Sequence, residues 1–289
     1  MYKIKQEASD FIVDEITNLK FLDKGKYSVF LLKKKDYTTS RAVSVVCKKL
    51  RINRKFVGYA GNKDKKAITT QYISIKGSKP ISLELKDISL EFKGYLNEPI
   101  CLGDLYGNSF EIKVTTSLKL KKLKRIVNYF GEQRFSKNNA EVGKLIVKGD
   151  FKKAVEIVDE KVVQDYLADK PNDFIGALRK IPLKILKLYV HAYQSLLWNK
   201  MAEKEKSNKK IPIIGFGTEP SKIINELLKE EKIGLRDFII RSIPELSSEG
   251  SERDLFVDVE DLEVDKGYNL KFKLKKGSYA TEVVRQMFT

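Results

Sequence analysis

Any chemistry in this chain has to run almost without histidine. His191 is the only one in 289 residues, which removes His-ligated zinc, HExxH hydrolysis and histidine-pair ribonuclease chemistry. Cys47 and Cys101 lie far apart and form neither a CxxC pair nor a disulfide framework. There is no GxxxxGK[ST] loop and no GxGxxG after a strand, so ATP-driven and dinucleotide-dependent reactions are not expected. Carboxylates, hydroxyls and lysines remain, working without cofactor or metal. Among them the stretch GYAGNKDKKAITTQ, residues 58–71, brings two glycines, three lysines and one carboxylate, Asp64, into a single turn. Gly, Asn and Asp between apolar runs make it a loop by composition. Taken alone, a charged NKDKK turn is most often a solvated surface turn.

Bulk composition narrows the partner. Fifty-six Lys and Arg against 39 Asp and Glu leave a net charge of +17. Such an excess points to a polyanion, nucleic acid first, although a lysine-rich proteome yields the same surplus without a specific reason. No stretch reaches the run of about 18 apolar residues of a membrane span. MYKIKQEASDF lacks the apolar core of a signal peptide. With only two separated cysteines, a soluble, reducing, cytoplasmic setting is expected. His191 lies in LKILKLYVHAYQSLLWNKM, where Leu186, Tyr189, Val190, Tyr193, Leu197 and Met201 recur at helical spacing. A histidine beside such a stripe is structural or solvent-facing more often than catalytic.

The elements that must carry Asp64 alternate along the first third. RKFVGYA and TTQYISIK, on either side of the loop, read as strands from their Val, Ile, Tyr, Phe and Thr content. KYSVFLLK (26–33) is a further strand. TTSRAVSVVCKKL opens with capping hydroxyls, Thr38 to Ser40, and sets Val43, Cys47 and Leu50 on one helical face, so Cys47 is a small core residue. Residues 85–96 and 108–114 read as strands. LKLKKLKRIVNYF (118–130) reads as a basic amphipathic helix, with Leu120, Leu123 and Val127 on its apolar side. It leads into the aromatic turn NYFGEQRF, a surface that suits RNA, or simply a solvated face. Helices dominate from about 137 to 201. Residues 202–250, with the charge run AEKEKSNKK and the turn-rich GFGTEPS, read as an insertion or second module. LFVDVEDLEV and YNLKFKLKKGSYATEV return to strand, with Leu270, Phe272 and Leu274 alternating with lysines. The expectation is α+β, its sheet built from both ends of the chain.

Six blocks in order then resemble the TruD family of pseudouridine synthases, over nearly the whole length. They are IKQEASDFIVDEI, GYAGNKDKKAITTQ, LYGNSFEI, NYFGEQRFS, VHAYQSLLWN and LKKGSYATEVVR. Ser136, Val127 and His191 depart from the family pattern, at positions without a chemical role. The resemblance implies a mainly antiparallel sheet flanked by helices, the pseudouridine synthase core, at 1–155 and 251–289, with an inserted α/β TRUD module at 156–250. It implies a tRNA substrate, modified at uridine 13, with no cofactor, no metal and no membrane partner. The reaction breaks the N1–C1′ bond of uridine and rejoins C1′ to C5, an isomerisation that needs no energy source. The family's aspartate is Asp64, acting on C1′ or on a sugar proton; both routes need an ionised carboxylate, which the flanking Lys63 and Lys65 favour. The flipped base is stacked by Phe130 and read by Asn128. Lys5 and Glu15 are implied as a supporting pair near the nucleophile, and Arg134 as a phosphate contact or loop brace. For Phe130 the competing reading is a core residue. Two other functions are weighed: a non-catalytic RNA-binding protein on a decayed scaffold, which intact Asp64, Asn128 and Phe130 disfavour, and a methyltransferase, which lacks its cofactor loop.

Overall fold

The computed structural model describes residues 2–158, 160–205 and 210–288. In chain order its elements are β1 (Phe11–Ile16), β2 (Tyr27–Lys35), α1 (Thr39–Leu50), β3 (Val57–Tyr59), β4 (Ile68–Lys76), β5 (Leu83–Leu85), β6 (Ile88–Leu96), β7 (Gly107–Lys113) and β8 (Arg125–Val127). Five helices follow: α2 (Asn139–Val147), α3 (Phe151–Ile157), α4 (Lys161–Asp169), α5 (Phe174–Leu178) and α6 (Leu183–Lys204). The chain then forms β9 (Lys210–Ile213), α7 (Lys222–Glu231), β10 (Ser251–Asp254) and β11 (Phe256–Asp258). It ends with β12 (Glu260–Val264), β13 (Asn269–Lys275) and α8 (Ala280–Met287). Residues 206–209 of the AEKEKSNKK charge run lie outside the described residues.

Two compact units result, one running to Ile126 and resuming at Asp258, the other Val127–Val257. The compact second unit begins at Val127, whereas the module implied by the resemblance begins at 156. Helices α2 to α7 all lie within it.

The first unit is built on a nine-stranded sheet of order β12-β13-β7-β1-β4-β2-β6-β5, with β3 added beside β4. Within it β1 and β4 run parallel and the other pairings are antiparallel. Period-two alternation decides the faces. In β2 the inward row is Ser28, Phe30, Leu32 and Lys34, set opposite Ile75, Ile73, Gln71 and Thr69 of β4. Val13 of β1 stands opposite Thr69, which aligns Phe11, Val13 and Glu15 with the same face. The apolar part of this face takes α1, whose Ala42, Val43, Val46 and Cys47 pack on Phe30, Leu32, Ile73, Ile75, Ile88 and Leu90. Thr38 caps α1 by accepting from the Arg41 N–H. At the other end of the row the face turns polar, with Glu15, Lys34, Thr69 and Gln71 all buried.

The helix expected at 118–130 does not form. Residues 117–124 are irregular, and Arg125–Val127 are a strand. Lys119, Lys121, Lys122, Lys124 and Arg125 would stack like charges at three- and four-residue spacing on a helix. Main-chain bonds to other segments replace the helical ones: Lys121 N–H donates to the Met287 carbonyl, and the Lys124 carbonyl accepts from Val259 N–H. RKFVGYA is also only partly strand, with a 3-10 turn at Arg54–Phe56 before β3.

In the second unit α6 buries Leu186, Tyr189, Val190, Tyr193, Leu197, Trp198 and Met201 along its length. It meets α2 closely at Gly143, where a Cβ would stand 2.0 Å from the Tyr189 carbonyl oxygen. β9 and β10 pair antiparallel as a two-stranded sheet.

Candidate active site

Four of the expected site residues come together in the first unit. The loop between β3 and β4 is tied to the polar end of the sheet face by side chains from several elements. Gln71 Nε2 of β4 donates to the Gly61 carbonyl at 2.9 Å. Thr39 Oγ1, at the start of α1, accepts from Lys63 N–H at 2.9 Å and donates to Gln71 Oε1 at 2.8 Å. The Lys63 ammonium lies 2.6 Å from Glu15 Oε2, with side chains only 6% and 1% exposed. The other oxygen of Glu15 accepts from Tyr72 N–H at 3.1 Å. Lys34 of β2 donates from Nζ to the carbonyl of Asp64 at 2.8 Å and to that of Tyr37 at 2.6 Å. Gly58 is required in the middle of β3, just ahead of the loop, since a Cβ there would come within 2.3 Å of the Ile100 carbonyl oxygen.

Asp64 stands at the top of this anchorage with its side chain 26% exposed, bonded through Oδ2 to Lys5 Nζ at 2.8 Å. Lys5 occupies the left-handed region (φ 55) and sets its ammonium 3.9 Å from the Phe11 ring centroid. Lys5 and Glu15 take different partners: Lys5 holds Asp64, and Glu15 holds Lys63. The cation on Asp64 therefore comes from 59 residues away, while the neighbouring Lys63 is turned inward to a carboxylate of β1. Burial explains the choice, because an almost inaccessible Glu15 needs a charged partner. The desolvating environment pushes the Lys34 ammonium down to about 8, with Lys63 adding to the effect and Asp64 and Asp36 opposing it.

The remaining three residues lie in the second unit. Asn128 is buried; its N–H donates to the Leu255 carbonyl and its Nδ2 to the Asp254 carbonyl. Arg253 donates to its carbonyl at 3.0 Å and to its Oδ1 at 2.7 Å. Phe130 is 9% exposed and has its main chain bonded both ways to the Asn199 amide. Trp198 meets its ring edge-on at 5.6 Å, and the Arg253 guanidinium lies 4.1 Å from the ring centroid. Arg134 bonds Ser195 Oγ at 3.3 Å, with its guanidinium 5.9 Å from the same ring. Phe130 is thus more enclosed than a bare stacking platform.

Sequence reasoning does not single out Lys34, Thr39 or Arg253, and reaches Gln71 only as part of a motif. Lys34 has a legible signal: it continues the inward row of Ser28, Phe30 and Leu32. Thr39 reads only as one of the capping hydroxyls and Gln71 only as part of the motif, while Arg253 has no signal, because their roles depend on partners distant in the chain. Among the described residues, no three His, Cys, Asp or Glu side chains gather to hold a metal ion.

Comparison with known proteins decides the family. The sequence model of tRNA pseudouridine synthase D (TruD) matches residues 2–161, 156–214 and 208–287. The chain belongs to the tRNA pseudouridine synthase D family. A Methanosarcina acetivorans relative described as a probable tRNA pseudouridine synthase D is 28% identical, over 98% of this chain and 92% of its own. The Methanopyrus kandleri protein of the same description is 29% identical, over 92% of this chain and 86% of its own. A crystal structure of a Methanosarcina mazei protein assigned to TruD superposes with a TM-score of 0.73 at 26% identity, covering 99% of this chain and 93% of that one. TruD enzymes isomerise uridine to pseudouridine in tRNA, and this chain is an isomerase of that kind. The α+β architecture with a mostly antiparallel sheet is the TruD fold. No helix among the described residues is long and apolar enough to cross a membrane.

Proposed function

We propose that Asp64 is the carboxylate through which this TruD enzyme isomerises uridine, with uridine 13 of tRNA as its target. Cleavage of the N1–C1′ bond builds positive charge on the ribose, which a carboxylate held at C1′ stabilises or captures. The freed uracil turns, C5 bonds C1′, the C5 hydrogen leaves as a proton and N1 ends protonated. Abstraction of a sugar proton by the same carboxylate is the alternative route.

The observation that supports Asp64 most is its setting: a quarter-exposed carboxylate on a loop whose neighbours are bonded to buried Glu15, Lys34, Thr39 and Gln71. A solvated turn has no need of such anchorage. By the family resemblance, Phe130 stacks on the flipped base and Asn128 reads its edge; the Arg253 bond to Oδ1 would fix the rotamer of Asn128. Lys5 steadies the carboxylate, Glu15 and Lys63 hold the loop, and Arg134 braces the residues around Phe130.

Asp64→Asn tests the reading. It keeps size and turn preference and removes the charge and the reacting oxygen. Folding should change by no more than about 1 kcal/mol, the usual scale for a partly exposed ion pair. Tritium release from tRNA labelled at uridine C5 should fall to background. A rate within tenfold of wild type would refute the assignment.

A further inference from the structure

We infer that Lys34 is the positioning residue for the reacting carboxylate: from β2 its ammonium holds the main-chain carbonyl of Asp64 and so sets where the side chain stands. The inference rests on the reading of Asp64 as the reacting group.

Lys34 is 1% exposed, in a row otherwise filled by Ser28, Phe30 and Leu32. Its strand partners are Thr69 on β4 and Ile88 on β6. Putting an ammonium there costs desolvation that a methionine or leucine would avoid. Packing alone therefore gives no reason for a lysine. What the lysine supplies is two donors, one to the Tyr37 carbonyl just ahead of the α1 cap and one to the Asp64 carbonyl. It thereby ties the start of α1 and the loop to one point of the sheet. The other anchors fix different residues: Gln71 holds Gly61, while Thr39 and Glu15 hold Lys63. Lys5 holds the carboxylate itself, from a partly exposed position. Lys34 is the buried side chain bonded to the residue that carries the reacting oxygen.

The charges around it form a compact set. Asp64 and Asp36 favour its charged form, and Lys63 and burial oppose it. The lysine thus stands where its own ionisation is disfavoured, and what it supplies there is the two bonds to the Tyr37 and Asp64 carbonyls.

The experiment compares Lys34→Met, Lys34→Gln and Lys34→Arg with Asp64→Asn in the full chain, using tRNA tritiated at uridine C5 under steady-state conditions. Lys34→Met should melt close to wild type and keep KM for tRNA within about threefold. Its kcat should fall about a hundredfold, the scale of a 1 Å misplacement of a reacting group. Lys34→Arg, which retains donors for both carbonyls, should recover at least tenfold of that loss. A folded Lys34→Met with kcat within threefold of wild type, alongside an inactive Asp64→Asn, overturns the inference and leaves Asp64 intact. An active Asp64→Asn overturns the underlying reading instead. If Lys34→Met does not fold, Lys34→Gln is judged by the same criteria; if neither folds, Lys34 is structural and the inference fails.

Discussion

At the scale of single residues, three charges buried in the first unit, Glu15, Lys34 and Lys63, fix the loop. Glu15 and Lys63 neutralise each other almost out of reach of water. Glu15→Ala leaves an ammonium buried without its partner and should destabilise the protein by about 3–5 kcal/mol, measured by denaturant unfolding. Lys34 carries a pH signature of its own. Its folded pKa of about 8 lies below the ordinary lysine value of 10.5. Between those values the folded chain has released a proton that the unfolded chain still binds, so stability rises with pH. Relative to Lys34→Met, the wild type should gain on the order of 3 kcal/mol as pH goes from about 7 to 10.5, the 1.36 kcal/mol per unit of linkage summed over that shift. A difference that stays flat with pH would show that Lys34 titrates normally. Phe130 is tested by Phe130→Leu, which keeps bulk and removes the aromatic face. If the ring stacks on the base, kcat/KM should fall at least fivefold, for about 1–3 kcal/mol of stacking, with little change in melting. Unchanged kcat/KM would leave Phe130 as packing between Trp198 and Arg253.

At the scale of elements, the second unit is fastened by one buried carboxylate on α7. Glu231 meets Lys144 of α2, Lys200 of α6 and the Tyr193 hydroxyl of α6. Burial alone would raise its pKa, but the hydrogen bonds and charges of Lys144 and Lys200 outweigh that and bring it down to about 2. Burial, with the same carboxylate adding to it, drives the Tyr193 hydroxyl far upward. Because the folded pKa is depressed below 4.5, the stabilisation is complete above pH 4.5 and is lost as pH falls from there toward 2. Glu231→Gln should therefore cost about 3 kcal/mol at neutral pH and little at pH 2, readable from urea melts at the two pH values. A variant as stable as wild type at pH 7 would show that the lysines contribute nothing to joining α2, α6 and α7.

At the scale of the molecule, the +17 charge governs how tRNA is met rather than what is done to it. Lys121, Lys122 and Lys124 are exposed on an irregular segment of the first unit, well suited to phosphates. Affinity for tRNA should fall steeply with salt. Replacing the three lysines with alanine should reduce the slope of log K against log salt by about 2–3, since each phosphate a lysine neutralises adds about 0.7–0.9 to it. Turnover of saturating tRNA should stay near wild type. An unchanged slope would place the phosphate-binding surface on other lysines.

The sequence by itself determined the family, the α+β class, the strands on either side of the Asp64 loop, the α1 cap and Cys47 as core. These rest on local signals: alternation, capping hydroxyls, turn residues and blocks in a given order. Where local signals conflicted, tertiary structure decided. Residues 118–130 have helical apolar spacing, yet their repelling lysines and main-chain bonds to Met287 and Val259 produce an irregular segment and a strand. The partner of each charge in the site was likewise illegible. Lys63 is adjacent to Asp64 in the chain and points to Glu15, while Lys5 reaches Asp64 from 59 residues away. Sequence proximity says which charges share a loop; only the packing of β1, β2, β4 and α1 says which are denied water and must therefore pair.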